Sequence, residues 1–405
     1  MWEAIFLRSD FLMALKIKVK KQYLTKYQNG YPLLSSEWIQ SLPGGIREGD
    51  LIDILSPSGQ FIAKGYYGKQ NKGLGWIFSA KREAKLDGSF FQHIISQALT
   101  LRKSLFSDEL TTAFRLFNGE GDGLGGVTVD YYDGFLLVQW YSLGIYRYKK
   151  DFLKTWFSFP FVKGIYEKKR FETSEETSDF VGGTEAPAPL LVKENGITYA
   201  TYLNDGWMTG IFLDQREVRK RIMDEYALSK RVLNTFSYTG AFSIAALYGG
   251  AAHTTSVDVA KRSLAKTAEQ LQVNGMDPAK QAIVVEDVFH YFKYAKRKGL
   301  RFDLVIADPP SFARTKKITF RASKDYPELL RDLIEITAPN GMIVASTNYA
   351  GFSFQKFKEQ VEEAFRGTKR SYQIRETFQL PVDFATIESF PEGNYLKVLF
   401  LELDV

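Results

Sequence analysis

The stretch Arg231–Ala251, RVLNTFSYTGAFSIAALYGGA, decides the fold of the C-terminal half. Val232–Phe236 is an apolar run of the kind that forms a strand buried on both faces. Tyr238-Thr239-Gly240 then turns the chain into a helix of small residues. A strand–turn–helix unit of this type aims backbone N–H groups at a ligand. Gly240 stands alone, so the Gly-x-Gly-x-x-Gly pattern that favours a pyrophosphate is missing. The loop therefore suits a cofactor without a pyrophosphate, with an ordinary strand-to-helix turn as the plain alternative.

From about residue 197 onward, β-rich apolar runs alternate with amphipathic segments, which predicts an α/β domain built on a parallel sheet. The expected strands are Arg231–Phe236, Thr254–Val257, Ala282–Val285, Phe302–Ala307, Met342–Ser346, Tyr372–Leu380 and Tyr395–Leu403. A helix is expected at Ala260–Gln272, with Leu264, Ala268 and Leu271 on one face. Open sheets of this class bind ligands beyond the carboxyl ends of their strands. Three acidic residues fall there. Asp258 follows Gly240 by eighteen residues, a spacing at which a carboxylate accepts from ribose hydroxyls. Asp287, in VVEDVFHYF, sits where it can accept from an adenine amino group. Either aspartate has a helix N-cap as its plain alternative. Asp308 ends the apolar run of FDLVIADPPSFAR. The following Pro309 and Pro310 fix the backbone and remove N–H donors. Their carbonyls are then free to face an amine or ring edge, and Phe312 offers a face to a splayed-out base.

The N-terminal half has a different texture. Lys16–Lys21 (KIKVKK) alternates apolar and basic residues. Within Gly49–Gly68, two β-rich runs flank Ser56-Pro57-Ser58-Gly59, a hairpin signal, and Gly73–Ser79 adds a strand. A small β-barrel is expected. Residues 87–110 have helical spacing. Gly119, Gly121, Gly123, Gly125 and Gly126 resemble a phosphate loop, but no Gly-Lys-Ser/Thr follows and the run leads into a strand, so a tight hairpin is expected. The acidic stretch Glu172–Leu191 reads as a surface loop near a domain boundary.

Together these segments are similar to a known family. Val19–Leu86 resembles a PUA domain, a compact RNA-binding barrel, and residues 197–405 resemble class I S-adenosylmethionine-dependent methyltransferases. The whole chain resembles the RlmI-like, PUA-containing 23S ribosomal RNA methyltransferases, through TGIFLDQREVR (Thr209–Arg219), NTFSYTGAFS (Asn234–Ser243), SVDVAKRSL (Ser256–Leu264), DPPSF (Asp308–Phe312) and FPEGNYLK (Phe390–Lys397). The resemblance implies three parts: a PUA-like barrel at 1–86, a central α+β domain at 87–196 and a Rossmann-like methyltransferase domain at 197–405. It implies that Phe212, Asp214, Gln215 and Arg216 border the cofactor and RNA pocket. Asn234, Phe236, Tyr238, Thr239, Gly240, Asp258, Asp287 and Asp308 are then expected to bind S-adenosylmethionine. Asp308, Pro309, Pro310, Phe312 and Asn348 are expected to do the catalytic work. Relatives of this kind are often dimers, so a homodimer is a further expectation.

Composition sets the limits. The chain has 405 residues, a net charge of +6 and no cysteine. The missing cysteine excludes disulfides, Cys-ligated metal and a thiolate nucleophile. Only His93, His253 and His290 are present, so no His-rich metal site is expected. No apolar run approaches the ~18–20 residues of a membrane helix. Glu3, Arg8 and Asp10 interrupt Met1–Leu15, which lacks a signal-peptide pattern. Met1–Leu12 is expected to be a short extension and the protein cytoplasmic. Residues 1–90 carry 13 Lys and Arg against 8 Asp and Glu. That basic excess points to a polyanion such as RNA, with a merely solvated basic face as the plain alternative.

Enzymes of this family that make 5-methylcytosine carry a catalytic Cys in the loop after the fifth strand, and here Asn348 stands in its place. Methylation at C5 needs a nucleophile on C6 of the ring, and Ser or Thr hydroxyls are poor substitutes for a thiolate. Guanine nitrogens need only positioning and desolvation. The expected activity is methylation of a 23S ribosomal RNA base, guanine rather than cytosine. The alternatives are a 5-methylcytosine enzyme, a non-catalytic RNA-binding or assembly factor, and an NAD(P)-dependent oxidoreductase. The single-glycine loop and DPPSF argue against the last.

Overall fold

The computed structural model describes residues 15–70, 73–314 and 319–404. The extension expected at residues 1–12 lies outside them.

The first unit is a four-stranded sheet. Leu15–Lys18 pairs in parallel with Leu51–Leu55, which forms a hairpin with Phe61–Gln70, followed by Gly73–Ser79. Leu33 bridges to Trp76 on one edge strand, and Ile39 bridges to Val19 just beyond the other. The segment between them therefore closes the sheet into the expected small barrel.

Next comes a five-stranded sheet: Ala113–Asn118, Val127–Tyr132, Phe135–Trp140, Gly164–Lys169 and Ser178–Gly183. The last of these corrects the reading of 172–191 as loop. In that edge strand only Phe180 and Val181 are apolar, one toward each face, which is too short a pattern to read. Helix Gly88–Leu101 packs on helix Lys149–Phe157 and buries Phe91, Ile94, Ile95 and Ala98. Ile54, Tyr66 and Trp76 of the barrel share one continuous core with Phe91, Phe117, Trp140 and Trp156. The glycine-rich run does join two antiparallel strands, but through a 3-10 turn at Gly119–Asp122 and a further loop, not the tight turn expected, and it also explains the join. A Cβ on Gly125 would overlap the Trp76 indole, and one on Gly121 would overlap the Ala385 carbonyl. Three separate parts of the chain meet there at backbone distance.

The hairpin Leu190–Glu194/Ile197–Thr201 has its turn at residues 195–196, so a boundary placed at 196/197 passes through its tip. Beyond it lies a seven-stranded sheet. Its order is Ala282–Val285, His253–Asp258, Arg231–Thr235, Phe302–Ala307, Thr337–Thr347, Lys397–Leu403, Tyr372–Phe378. The first five run parallel, Lys397–Leu403 runs antiparallel to them, and Tyr372–Phe378, antiparallel to Lys397–Leu403, runs in the direction of the first five. Helices cover both faces, so the central strands are mostly buried, polar residues such as Asn234, Thr235 and Ser256 included. Strand order reverses between Arg231–Thr235 and Phe302–Ala307, and a crevice opens at such a switch point. Of the expected face of helix Arg262–Val273, Leu271 is buried, whereas Leu264 is half exposed.

Candidate functional site

The crevice is built from the turns after five parallel strands. After Arg231–Thr235, Phe236 and Tyr238 take positive φ values of 55° and 52°, and Gly240 takes 79° at the start of helix Ala241–Tyr248. Left-handed backbone at two aromatic residues is strained and must be held. Asp258 holds it: Oδ2 accepts from the Tyr238 N–H at 2.9 Å and Oδ1 from the Ala260 N–H at 2.8 Å. At the next tip, Asp287 caps helix Val288–Lys298 by accepting from the N–H groups of Phe289 and His290. Both aspartates also line the crevice. The capping and ligand-facing positions therefore coincide.

Asp308 lies at the centre. The Ser346 hydroxyl donates to its Oδ1 at 2.7 Å, and Gln215 Nε2 donates to that hydroxyl at 2.8 Å. Burial pushes the Asp308 carboxyl up to about 6. The charge of Asp214 adds to the rise, and the hydrogen bonds from Ser346 and Gln215 oppose it. Burial also raises Asp214, against the Tyr395 hydroxyl that donates to it at 2.9 Å. On the next loop, the Ser311 hydroxyl donates to Asn348 Oδ1 at 2.5 Å. Asn348 does not cap the following helix; Ser353 does. Lys397 Nζ donates to the carbonyls of Tyr349 and Tyr395, tying the Asn348 loop to the arm that holds Asp214.

Two adjoining cavities result. The smaller, about 360 Å³, is lined by eight residues expected at the cofactor: Phe212, Asp214, Gln215, Phe236, Tyr238, Asp258, Asp287 and Asp308. Pro309, Pro310 and Asn348 line it too. Four expected cofactor residues do not. Arg216 is buried in a bidentate pair with Asp383, and so fastens the C-terminal segment instead. Asn234 donates to Ser243 inside the fold, and the Thr239 hydroxyl donates to the Gly210 carbonyl. Gly240 shapes the turn from beneath, against Thr267.

Phe312 is also displaced. It is 55% exposed, beside Arg321, on a small hairpin of Phe312–Arg314 with Thr319–Arg321. Side chains alternate along a strand. The paired Ala313 and Phe320 turn inward instead, and Phe320 supplies the aromatic wall. Val259, Arg262 and Phe289 complete that cavity and had only their nearness to the strand-tip aspartates as a signal.

The larger cavity, about 870 Å³, takes part of its lining from the Thr209–Arg219 and Phe390–Lys397 motifs, Phe212, Asp214, Phe390 and Tyr395 among them, and much of the rest from residues that no motif contained. Arg115, Asp130, Gln139 and Arg170 of the central sheet form its floor, and Tyr31, Phe390 and Tyr395 reach it from the two ends of the chain. Met208, Phe212, Asp214 and Asn348 line both cavities and mark where they join.

Carboxylates at the strand tips and apolar ring faces at Phe236, Phe289 and Phe320 fit a nucleoside-bearing cofactor, and the volume suits one small molecule. Comparison with known proteins agrees. Residues 115–400 match the S-adenosylmethionine-dependent methyltransferase family and residues 17–80 the PUA-like domain family. The Bacillus subtilis protein YwbD, named as a candidate ribosomal RNA large subunit methyltransferase, is 56% identical over 391 residues, covering 95% of this chain and 99% of that one. Ribosomal RNA large subunit methyltransferase I of Klebsiella pneumoniae is 30% identical over 91% of this chain and 93% of its own. The crystal structure of SMU.776, a candidate methyltransferase complexed with SAH, superposes with a TM-score of 0.89 at 42% identity, covering 96% of this chain and all of that one. The chain belongs to the RlmI-like family of PUA-domain-containing, S-adenosylmethionine-dependent methyltransferases.

Proposed function

We propose that this enzyme methylates a base of large-subunit ribosomal RNA, and that the base is guanine rather than cytosine at C5. The observation that carries the choice of base is the absence of cysteine from all 405 residues, together with Asn348 beside Asp308 at the junction of the two cavities. The nearby hydroxyls do not replace a thiolate. Ser346 is buried and donates to Asp308, and Ser311 donates to Asn348. The names of the relatives support RNA as the substrate.

When bound, S-adenosylmethionine supplies an electrophilic methyl group on a sulfonium. Asp258 would hold its ribose hydroxyls and Asp287 its adenine amino group, with Phe236, Phe289 and Phe320 around the ring. The remaining work belongs to the base side. Asp308 and the carbonyls of the Pro309-Pro310 turn accept from N–H groups of the base, and Asn348 both accepts and donates. Guanine N1 or its exocyclic amine must lose a proton when it gains a methyl, whereas N7 has none to lose. At neutral pH, Asp308 is ionised yet has a proton affinity raised toward the working range, which suits it to take that proton. Alignment of the nucleophile and exclusion of water supply most of the acceleration.

Mass spectrometry of ribosomal RNA from wild-type and deletion strains tests this. One missing methyl on a large-subunit guanosine is expected. A missing 5-methylcytidine, or no missing methyl, would overturn the proposal.

A further inference from the structure

The larger cavity has more room than the target base requires. Its inner end, at Asp214 and Asn348, adjoins the cofactor cavity and is taken by that base in the proposed reaction. Beyond that end, Trp207 and Tyr141 line it over the Arg115 and Arg170 floor. Trp207 sits at the tip of a loop closed at its base by the Tyr202 N–H to Thr209 carbonyl bond at 2.8 Å. The loop is tied down by Ser178 to Asn204 and by Tyr132 to Thr209. The indole is 45% exposed, although its loop is fixed.

One side of that indole is already engaged. The Arg170 guanidinium lies 4.8 Å from the ring centroid and donates to the Trp207 carbonyl at 2.6 Å. Arg170 is itself locked by two bonds to Gln139 Oε1. Gln139 donates to Asp130, which pairs with Arg115 at 2.6 Å. The chain of contacts runs from the sheet floor to the Trp207 backbone and to one face of its indole. An exposed tryptophan backed by a locked guanidinium is a prepared stacking surface, because little side-chain entropy remains to be lost on binding. The rest of the wall decides what stacks there. Tyr132, Phe384 and Tyr395 offer ring faces, and the carboxylates Asp130, Asp214 and Glu392 outnumber the guanidinium groups of Arg115 and Arg170, so the wall favours bases over phosphates.

Met208 lines both cavities and its neighbour Trp207 only the larger one. We infer that Trp207, backed by Arg170, is a stacking platform for the nucleotide adjacent to the methylated one, so that the enzyme takes a splayed single-stranded dinucleotide rather than one flipped base. This rests on RNA being the substrate.

The test uses full-length wild-type, Trp207→Ala and Trp207→Phe enzymes with deproteinised ribosomal RNA from a deletion strain and labelled S-adenosylmethionine. Trp207→Ala should raise KM for RNA by about tenfold or more, the effect expected for losing one base–aromatic stack. Trp207→Phe should recover most of it. Calorimetric affinity for S-adenosylmethionine should stay within about twofold in both variants, which also shows that they are folded. A KM for Trp207→Ala within twofold of wild type, or no recovery by Phe, would overturn the platform while leaving RNA as the substrate. A wild-type enzyme that labels no RNA would overturn both.

Discussion

Replacing Asp308 by Asn should stabilise the protein while destroying its activity. The rise from 3.8 to about 6 corresponds to about 3 kcal/mol of differential interaction between the two protonation states. The folded state holds this proton more tightly than the unfolded chain, so ionisation opposes folding. Wild type is free of the penalty below about pH 3.8, accumulates it as the pH rises, and carries all of it above about pH 6. Asparagine never ionises, keeps an acceptor for the Ser346 hydroxyl and removes a charge that faces Asp214. The variant should exceed wild type by up to about 3 kcal/mol at neutral pH, an upper bound seen as several degrees in Tm. The gap should close as pH falls through 6 and vanish near pH 4. Thermal melts of both proteins across that range, read as differences, cancel the titration of all other groups. Methylation by wild type should fall over the same window as Asp308 takes up its proton, and the variant should be inactive throughout. A variant no more stable than wild type at neutral pH, or an equal gain at pH 4, would refute the reasoning.

Asp258→Ala should raise the dissociation constant for S-adenosylmethionine at least tenfold by calorimetry, since charge-assisted hydrogen bonds contribute about 1.5–3 kcal/mol. It should also lower Tm, because the Tyr238 and Ala260 N–H groups lose their acceptor; an unchanged affinity removes Asp258 from the cofactor site. Asn348→Ala should reduce kcat less than Asp308→Ala does, with cofactor affinity kept; the reverse ranking contradicts Asn348 as the positioning group and Asp308 as the proton acceptor. Deleting residues 1–86 should yield insoluble or unfolded protein, since the barrel shares its core with Phe117, Trp140 and Trp156; a soluble truncation with a normal melting transition would show the two units to be separable.

The parallel sheet was readable because its central strands are buried on both faces, which leaves mainly apolar runs such as Phe302–Ala307. The tip aspartates were readable as acids at strand ends, but not whether each held backbone N–H groups or faced the crevice; Asp258 and Asp287 do both. What failed did so where geometry acts over distance. Whether Phe312 or Phe320 faces the cofactor depends on strand register beyond two prolines, and a single sequence does not fix that register. Arg216 has a partner 167 positions away at Asp383. The floor of the larger cavity comes from alternate residues of the central sheet, whose other face is a hydrophobic core. Period-2 alternation locates such a face without saying that a site stands on it.

The central claim is that a cysteine-free member of this family methylates guanine. The direct measurement is nucleoside analysis of RNA methylated by the purified enzyme with methyl-labelled S-adenosylmethionine. The label should elute as a methylated guanosine and fall to background with Asp308→Ala. Label in 5-methylcytidine would contradict the account, because no residue near the junction of the two cavities provides the nucleophile that product requires.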